Sequence, residues 1–267
     1  MINDFFKLSK APFTRDIAVT DLWLDGTRKE MHSRLVFIAE NNAFGVFTGD
    51  AGTGKSTLVR RFASSLNRNR FQLIYITDSA LTPRNFYWAV LRELGQIPRF
   101  HRGDARYQLQ KVLSEIISTE KRTPVFVIDE AHLLSREMLE EIRFLLNVGM
   151  DSISNMALIL VGQTELKDKL RLHINSAIHQ RVDLRYHLMP LSQEESIDYV
   201  KAHMSSVHSP RDIFTDSAIL LMHDYCDGIP RRINKLATLS LMAAESRGSS
   251  LVDDHLVHLV IEKEFES

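Results

Sequence analysis

One short segment constrains this chain more than any other: residues 49–56 read G-D-A-G-T-G-K-S. They match the pattern of a glycine, four residues of any type, and then Gly-Lys-Ser or Gly-Lys-Thr. Glycines lack a Cβ, so backbone N–H groups can curl around phosphate oxygens. A strand-like apolar run (residues 43–48) precedes the segment, and a helical pattern from Lys55 to about Leu66 follows it. The helix would point its positive N-terminal end at the same anion, which predicts a strand–loop–helix unit that binds phosphate.

The chemistry of this loop assigns roles to its residue types. Lys55 places a point charge on the β- and γ-phosphates of a nucleotide, and Ser56 offers its hydroxyl to Mg²⁺. We therefore expect ATP and Mg²⁺ as cofactors. The residues expected to bind the nucleotide are Gly49, Asp50, Ala51, Gly52, Thr53, Gly54, Lys55, Ser56 and Thr57.

A second segment, V-F-V-I-D-E at residues 125–130, is typical of a buried strand that ends in two acids. Solvated charges are common at strand ends, so this pattern alone is weak. Here it lies about 70 residues after the glycine-rich loop, which favours a functional interpretation. Asp129 is then expected to hold Mg²⁺, directly or through water. Glu130 is expected to polarise the attacking water as a general base.

The order of elements predicts an α/β fold. Short apolar strands at 43–48, 71–77, 124–129, 157–161 and 182–188 alternate with helical patterns, which indicates a parallel five-stranded sheet between helices. The helix at 135–147 is expected to begin at Ser135 as its N-cap. After residue 190 only helices are predicted, at 192–205, 215–225, 230–245 and 253–262. We expect a nucleotide-binding core at 1–190 and a helical lid domain at 191–267.

Composition limits the possible partners. The 33 basic and 34 acidic residues give a net charge of −1, which does not support bulk electrostatic binding to DNA or membranes, although a local basic patch stays possible. The single cysteine, Cys226, allows no disulfide within the chain and fits a reducing cytoplasm; its apolar helical surroundings predict a buried thiol. No stretch approaches the ~20 apolar residues of a membrane span. No histidine pair has a zinc-site pattern, so we expect no metal other than Mg²⁺.

Several motifs taken together resemble a known family. The glycine-rich loop, the Asp129-Glu130-Ala131-His132 box and residues 228–231 (G-I-P-R) resemble the AAA+ superfamily. More narrowly, the chain resembles the family of general secretion pathway protein A, whose ATPase domain is similar to transposon-encoded ATPases that regulate transposition. This narrower resemblance runs from about Asn3 to Val260 and rests on residues 12–13 (P-F), 160–163 (L-V-G-Q), 180–181 (Q-R) and 185–188 (R-Y-H-L).

The resemblance implies further site residues. Gln163 matches the sensor 1 position, where other AAA+ branches often have Asn or Thr; this departure leaves the strength of hydrolysis open. Arg181 matches the arginine finger, which would reach the γ-phosphate of a neighbouring subunit, with a plain salt bridge as the alternative. Arg231 matches sensor 2 on the lid, and Arg232 could substitute for it. A finger supplied in trans implies a homo-oligomer, either a ring or a helical filament.

Two further regions each allow a functional and a structural interpretation. Arg99, Arg102 and Arg106 form a basic cluster, and in related transposition ATPases loops of this part of the core contact the DNA backbone; a solvated loop is the alternative. Arg68 and Arg70 (residues 68–70) are a weaker candidate of the same kind. The N-terminal strap, Pro12, Phe13 and Trp23, lies near the adenine by resemblance, or simply anchors the terminus through hydrophobic contacts.

Three functions compete at this point. The first is an ATPase that assembles on duplex DNA and regulates or recruits a transposase, with a cytoplasmic location and no membrane partner. The second is the ATPase of a secretion or envelope-assembly system; that family usually carries a membrane span and a wall-binding domain after the ATPase, and neither is expected here. The third is a non-hydrolysing nucleotide switch, which Glu130 argues against.

Overall fold

The sheet has the predicted parallel arrangement. The structure is a computed structural model that describes residues 1–14, 17–78, 81–146 and 156–265. Its five strands lie in the order β2-β3-β4-β1-β5, and all described pairs are parallel. The strands are β1 Phe44–Gly49, β2 Phe71–Ile76, β3 Thr123–Ile128, β4 Ala157–Gly162 and β5 Leu184–Leu188. This confirms the predicted five-stranded sheet.

The central strands are apolar because helices cover both faces of the sheet. Every residue of β1 and of β4 is buried, and β3 is buried from its second residue onward. β5 lies at an edge of the sheet and is only partly buried. Strand β1 is paired on both sides, with Phe44 opposite Leu158 of β4 and Gly45 opposite Leu184 of β5. The glycine-rich loop thus leaves the carboxyl end of a paired, buried strand.

Seven helices accompany the sheet within the described part of the chain. Ser135 caps one of them as predicted, because its Oγ accepts a hydrogen bond from the N–H of Met138 at 3.1 Å. The predicted end of that helix, Asn147, lies outside the described residues. The seven helices are α2 Gly26–Glu40, α3 Lys55–Ser65, α4 Pro83–Glu93, α5 Arg102–Ser118, α6 Arg136–Leu145, α7 Thr164–Arg171 and α8 Ser176–His179.

The helices after the sheet pack around a core of their own. Ser192 forms a capping box: its Oγ accepts the N–H of Glu195 at 3.1 Å, and the Glu195 carboxylate accepts the N–H of Ser192 at 2.8 Å. Cys226 is buried in this core, and burial raises the pKa of its thiol to about 11, as expected for a structural cysteine. The helices of this core are α1 Ile2–Phe6, α9 Gln193–Ser206, α10 Asp216–Cys226, α11 Pro230–Ser246 and α12 Asp254–Phe265.

Contacts divide the chain into two compact units. The sheet unit comprises Thr27–Asp50 and Lys55–Leu188, and the helical unit comprises Met1–Gly26, Ala51–Gly54 and Met189–Ser267. The N-terminal residues group with the helices because their apolar side chains pack into the helical core, whereas the predicted limits assign them to the nucleotide-binding core. None of the helices in the described ranges is long and apolar enough to cross a membrane.

Candidate nucleotide-binding site

The lysine of the glycine-rich loop is held by the loop itself. Lys55 is the first residue of α3 and is 8% exposed. Its Nζ donates hydrogen bonds to the carbonyl oxygens of Gly49 at 2.7 Å and Asp50 at 2.8 Å. A loop carbonyl binds an ammonium less strongly than a phosphate oxygen does, because the phosphate carries full charge. The arrangement therefore presents an ammonium that can exchange two neutral acceptors for an anion.

Asp129 is the centre of a hydrogen-bond cluster at the end of β3. Its Oδ2 accepts hydrogen bonds from the hydroxyl of Ser56 at 2.8 Å and the hydroxyl of Tyr75 at 2.9 Å. Its Oδ1 accepts the N–H of Glu130 at 2.8 Å. The Asp129 carboxylate is 5% exposed. The Ser56 hydroxyl and the Asp129 carboxylate thus lie within hydrogen-bond distance of each other. Mg²⁺ prefers hard oxygen ligands of this kind, so these two residues fit the ion.

Tyr75 is a site residue that the sequence did not reveal. It lies on β2 opposite Val127 of β3, and this register brings its hydroxyl to Asp129. Burial, and then the negative charge of Asp129, raise the pKa of Tyr75 well above its usual range. The phenol therefore stays protonated and keeps donating to the carboxylate. Only the pairing of β2 with β3 exposes this role, because no motif marks a tyrosine at that position.

Glu130 follows β3 in an unusual backbone conformation. Its φ of 52° and ψ of 32° lie in the left-handed region, which costs a non-glycine residue about 1–2 kcal/mol. Its side chain is 48% exposed, and its Oε2 lies 3.5 Å from Nδ1 of His132. The Glu130 side chain is thus accessible to solvent. A solvated carboxylate at a strand end can accept a proton from water.

His132 connects Glu130 to Gln163. The Nε2 atoms of His132 and Gln163 are 3.1 Å apart, and Gln163 directly follows β4. Gly162 permits this approach, because a Cβ there would lie 3.0 Å from the backbone N of His132. Lys169 fixes the same segment by donating to the carbonyl oxygen of His132. The sequence placed His132 in a motif without a role, and the structure shows it between the two predicted catalytic side chains.

The two predicted arginines of the resemblance occupy different units. Arg181 lies between α8 and β5 in the sheet unit, where its N–H donates to the carbonyl of Ile178 at 3.1 Å. In the helical unit, the N–H of Arg231 donates to the carbonyl of Gly52 at 3.2 Å. Gly52 has a φ of +89°, and a Cβ there would lie 2.9 Å from Cβ of Arg231. Arg231 therefore contacts Gly52 within the helical unit, whereas the guanidinium of Arg232 is paired with Asp227.

The N-terminal strap makes hydrophobic contacts within the helical unit. The ring of Phe13 is 7% exposed and stacks on His203 with centroids 5.2 Å apart. Trp23 meets the ring of Tyr199 edge-on at 5.7 Å. Burial lowers the pKa of His203 to about 4, so the ring between these aromatics is neutral. These contacts fit the anchoring role that the sequence left open.

The predicted basic cluster is partly engaged inside the sheet unit. Arg102 pairs with Glu141, which is 3% exposed on its side chain, and an NH1 atom of Arg106 lies 3.8 Å from the same carboxylate. The hydroxyl of Tyr87 also donates to Glu141. Two of the three predicted DNA-contacting arginines thus neutralise a buried acid. Arg99 contributes backbone contacts here: its carbonyl oxygen accepts a hydrogen bond from the indole of a neighbouring tryptophan at 2.9 Å.

Beside this cluster lies a surface that the sequence did not single out. The guanidinium of Arg84 lies 4.7 Å from the ring centre of Trp88 and 4.4 Å from that of Phe100. The guanidinium of Arg92 lies 5.7 Å from the ring centre of Trp88. Phe100 is 66% exposed. Of the weaker pair of candidates, Arg70 lies over the ring of its neighbour in sequence at 5.2 Å.

Comparison with known proteins agrees with this geometry. The family model for the AAA domain matches residues 38–170. The chain is 30% identical to general secretion pathway protein A of Aeromonas hydrophila over 93% of its own length and 46% of that protein. Its fold is similar to the ORC2 protein of Aeropyrum pernix (TM-score 0.70, 17% identity, 94% of this chain and 71% of that one). It is also similar to the Drosophila ORC bound to DNA (TM-score 0.69, 17% identity, 97% and 64%).

These similarities concern the AAA domain and the fold. The chain spans about half the length of general secretion pathway protein A. The match to the AAA domain covers the loop, both acids of the β3 end and Gln163, all of which the structure brings to the carboxyl ends of neighbouring parallel strands. The two solved structures are each 17% identical to this chain, so they show a similarity of fold alone. The chain contains an AAA domain at residues 38–170.

Proposed function

We propose that this chain is an AAA+ ATPase, which binds ATP with Mg²⁺ at residues 49–57 and hydrolyses it. Lys55 binds the β- and γ-phosphates, and Ser56 and Asp129 hold the metal. The observation that carries this proposal is the 2.8 Å hydrogen bond between Ser56 and Asp129, with Lys55 one residue away. The bound Mg²⁺ supplies charge neutralisation on the phosphoryl oxygens.

The remaining roles follow from position. Glu130 orients water and takes its proton as general base, and Gln163 places the same water near the γ-phosphate. Arg181 acts on the γ-phosphate bound by a neighbouring subunit, so hydrolysis requires a homo-oligomer. Arg231 contacts the nucleotide from the helical lid. The contacts that run from Gln163 through His132 to Glu130 support a coupled response of the two water-positioning groups.

The oligomer, a ring or a helical filament, is proposed to assemble on duplex DNA in the cytoplasm. There it regulates or recruits a transposase and so selects targets for DNA transposition. Similarity to an ORC described as bound to DNA supports this direction. The arginines and exposed aromatic ring around Trp88 support phosphate contacts, which are independent of sequence and weaken with salt.

A second candidate is the ATPase of a secretion or envelope-assembly system. It is favoured by one observation, the 30% identity to general secretion pathway protein A over 93% of this chain. In that case the oligomer would act on envelope proteins and would not need DNA.

Co-sedimentation with linear duplex DNA tests the choice. ATP, or an analogue that is not hydrolysed, should drive the wild-type protein into the DNA pellet at low salt, and salt should release it. The double variant Arg84→Gln, Arg99→Gln should bind more weakly, whereas the control Lys29→Gln, Arg136→Gln removes the same charge elsewhere on the sheet unit and should bind as the wild type does.

The outcomes separate the two candidates. Absence of DNA binding at low salt, with and without the analogue, would overturn the transposition proposal and leave the secretion candidate. If DNA binds and a neighbouring reading frame encodes a transposase, that transposase is the next reagent. ATP-dependent stimulation of its strand transfer by this protein would support target selection, and unchanged strand transfer would contradict it.

A further inference from the structure

A second basic site lies in the sheet unit, apart from Lys55 and Asp129. A cavity of about 440 Å³ opens between β1 and β5 on one side and α7 and α8 on the other. This volume is within the range of small-molecule sites. Within the described part of the chain, its lining contains no carboxylate. Five basic side chains line it: Lys167, Arg171, His179, Arg185 and His187.

Two of these cations lie close together on one helix, and neither has a partner of opposite charge among the residues that the structure describes. Lys167 and Arg171 lie four residues apart on α7, which places them on one face of the helix. Both are exposed, and neither forms an ion pair with any residue in the described ranges. Like charges at this spacing destabilise a helix. A bound anion would replace that repulsion with attraction.

The other basic groups are held in place by the chain. The guanidinium of Arg185 donates to the carbonyl oxygen of His179 at 2.6 Å. Nδ1 of His187 lies 2.9 Å from the hydroxyl oxygen of Thr48. Burial, and then the charges of Arg185 and Arg171, lower the pKa of His179. The second cause indicates a positive potential in the cavity, which is the condition for holding an anion.

The rest of the lining is suited to an organic group. Val46 and Leu170 are buried apolar side chains that line the cavity. A ligand with phosphate at one end and a planar or apolar group at the other would match both parts.

We propose that this cavity binds a small phosphorylated ligand of nucleotide size. Lys167, Arg171 and Arg185 bind its phosphates, and its organic part packs against Val46 and Leu170. The site is separate from the nucleotide site at residues 49–57 and does not depend on the function proposed for it.

Calorimetric titration of the Lys55→Ala protein, which is weakened at the loop, tests this site. ADP should bind, pyrophosphate should bind more weakly because it lacks the organic part, and adenosine should not bind. Adding Lys167→Gln and Arg171→Gln should weaken ADP binding at least tenfold, since two charged contacts are lost. The control, with Lys29→Gln and Arg136→Gln in the same Lys55→Ala protein, should retain it.

Thermal unfolding keeps the test decisive if a variant folds poorly. In the absence of ligand, the cavity variant and the control should have similar Tm values. ADP should raise the Tm of the control and leave that of the cavity variant unchanged. The proposal is overturned if ADP binds equally to the cavity variant and the control, or binds neither. Equal affinity for adenosine and ADP would also overturn it. Pyrophosphate binding as tight as that of ADP would refute the role given to Val46 and Leu170.

Discussion

Acid should destabilise the helical unit through one histidine. His203 on α9 is 6% exposed and packs between the rings of Phe13 and Tyr199, at 5.2 Å and 4.5 Å. Burial lowers its pKa from 6.5 to about 4. As pH falls below 6.5 the unfolded chain takes up a proton at this position, whereas the folded chain does so only near pH 4. The unfolded state therefore binds more protons in this window, and stability falls as pH falls.

The size of the effect follows from the two pKa values. Between pH 7 and pH 5 the difference in proton uptake lowers the free energy of unfolding by about 2 kcal/mol, and by pH 4 the loss is about 3 kcal/mol. Other groups also titrate in this range. The prediction therefore concerns the difference between the wild type and His203→Phe, which keeps an aromatic ring against Phe13 and removes the titrating nitrogen.

Fluorescence can follow this unit alone. The chain has two tryptophans, so Trp88→Phe leaves Trp23, which packs on Tyr199 in the helical unit. In that background, urea unfolding measures the free energy of unfolding at pH 7 and at pH 5. This free energy should fall by about 2 kcal/mol more in the protein with His203 than in the His203→Phe variant. The control His255→Gln removes an exposed histidine and should keep the larger loss. Equal losses with and without His203 would refute the reasoning from burial.

Three further predictions concern the nucleotide site. Glu130→Gln should retain ATP binding and lose turnover by at least a hundredfold; normal turnover would rule out the general-base role. Tyr75→Phe removes a donor to Asp129 and should raise the Mg²⁺ concentration for half-maximal turnover about tenfold, as loss of a supporting hydrogen bond to a metal ligand does; an unchanged Mg²⁺ dependence would contradict it. Mixing Arg181→Ala with Lys55→Ala subunits should restore part of the turnover that each lacks alone, and no recovery would argue against a finger supplied in trans.

The strands and the helix starts could be predicted because local physics determines them. Buried parallel strands are continuous apolar runs, and the five predicted strands agree with the structure within about two residues at each end. The caps at Ser135 and Ser192 were predicted from residue type alone and are confirmed by their hydrogen bonds. The helix α2 was missed although Met31, Leu35 and Ile38 form a buried stripe at helical spacing, because many charged residues surround that stripe.

Contacts between distant segments could not be predicted. Tyr75 reaches Asp129 only through the register of β2 and β3, and His132 meets Gln163 only because β4 lies beside β3. The sequence also gave no sign that Arg102 would be engaged by Glu141, 39 residues away. Pairing of this kind depends on the packing of α4, α5 and α6. A motif fixes which chemistry is possible, whereas the fold decides which side chains are already in use.

The central claim is that Lys55, Ser56 and Asp129 converge on one magnesium–nucleotide complex. The most direct measurement is a structure of the protein with Mg²⁺ and an ATP analogue that is not hydrolysed. The account predicts that Nζ of Lys55 leaves the carbonyl oxygens of Gly49 and Asp50 for the β- and γ-phosphates, with the hydroxyl of Ser56 and the carboxylate of Asp129 around the metal. Nucleotide bound elsewhere, with the ammonium still on both carbonyls, would contradict it.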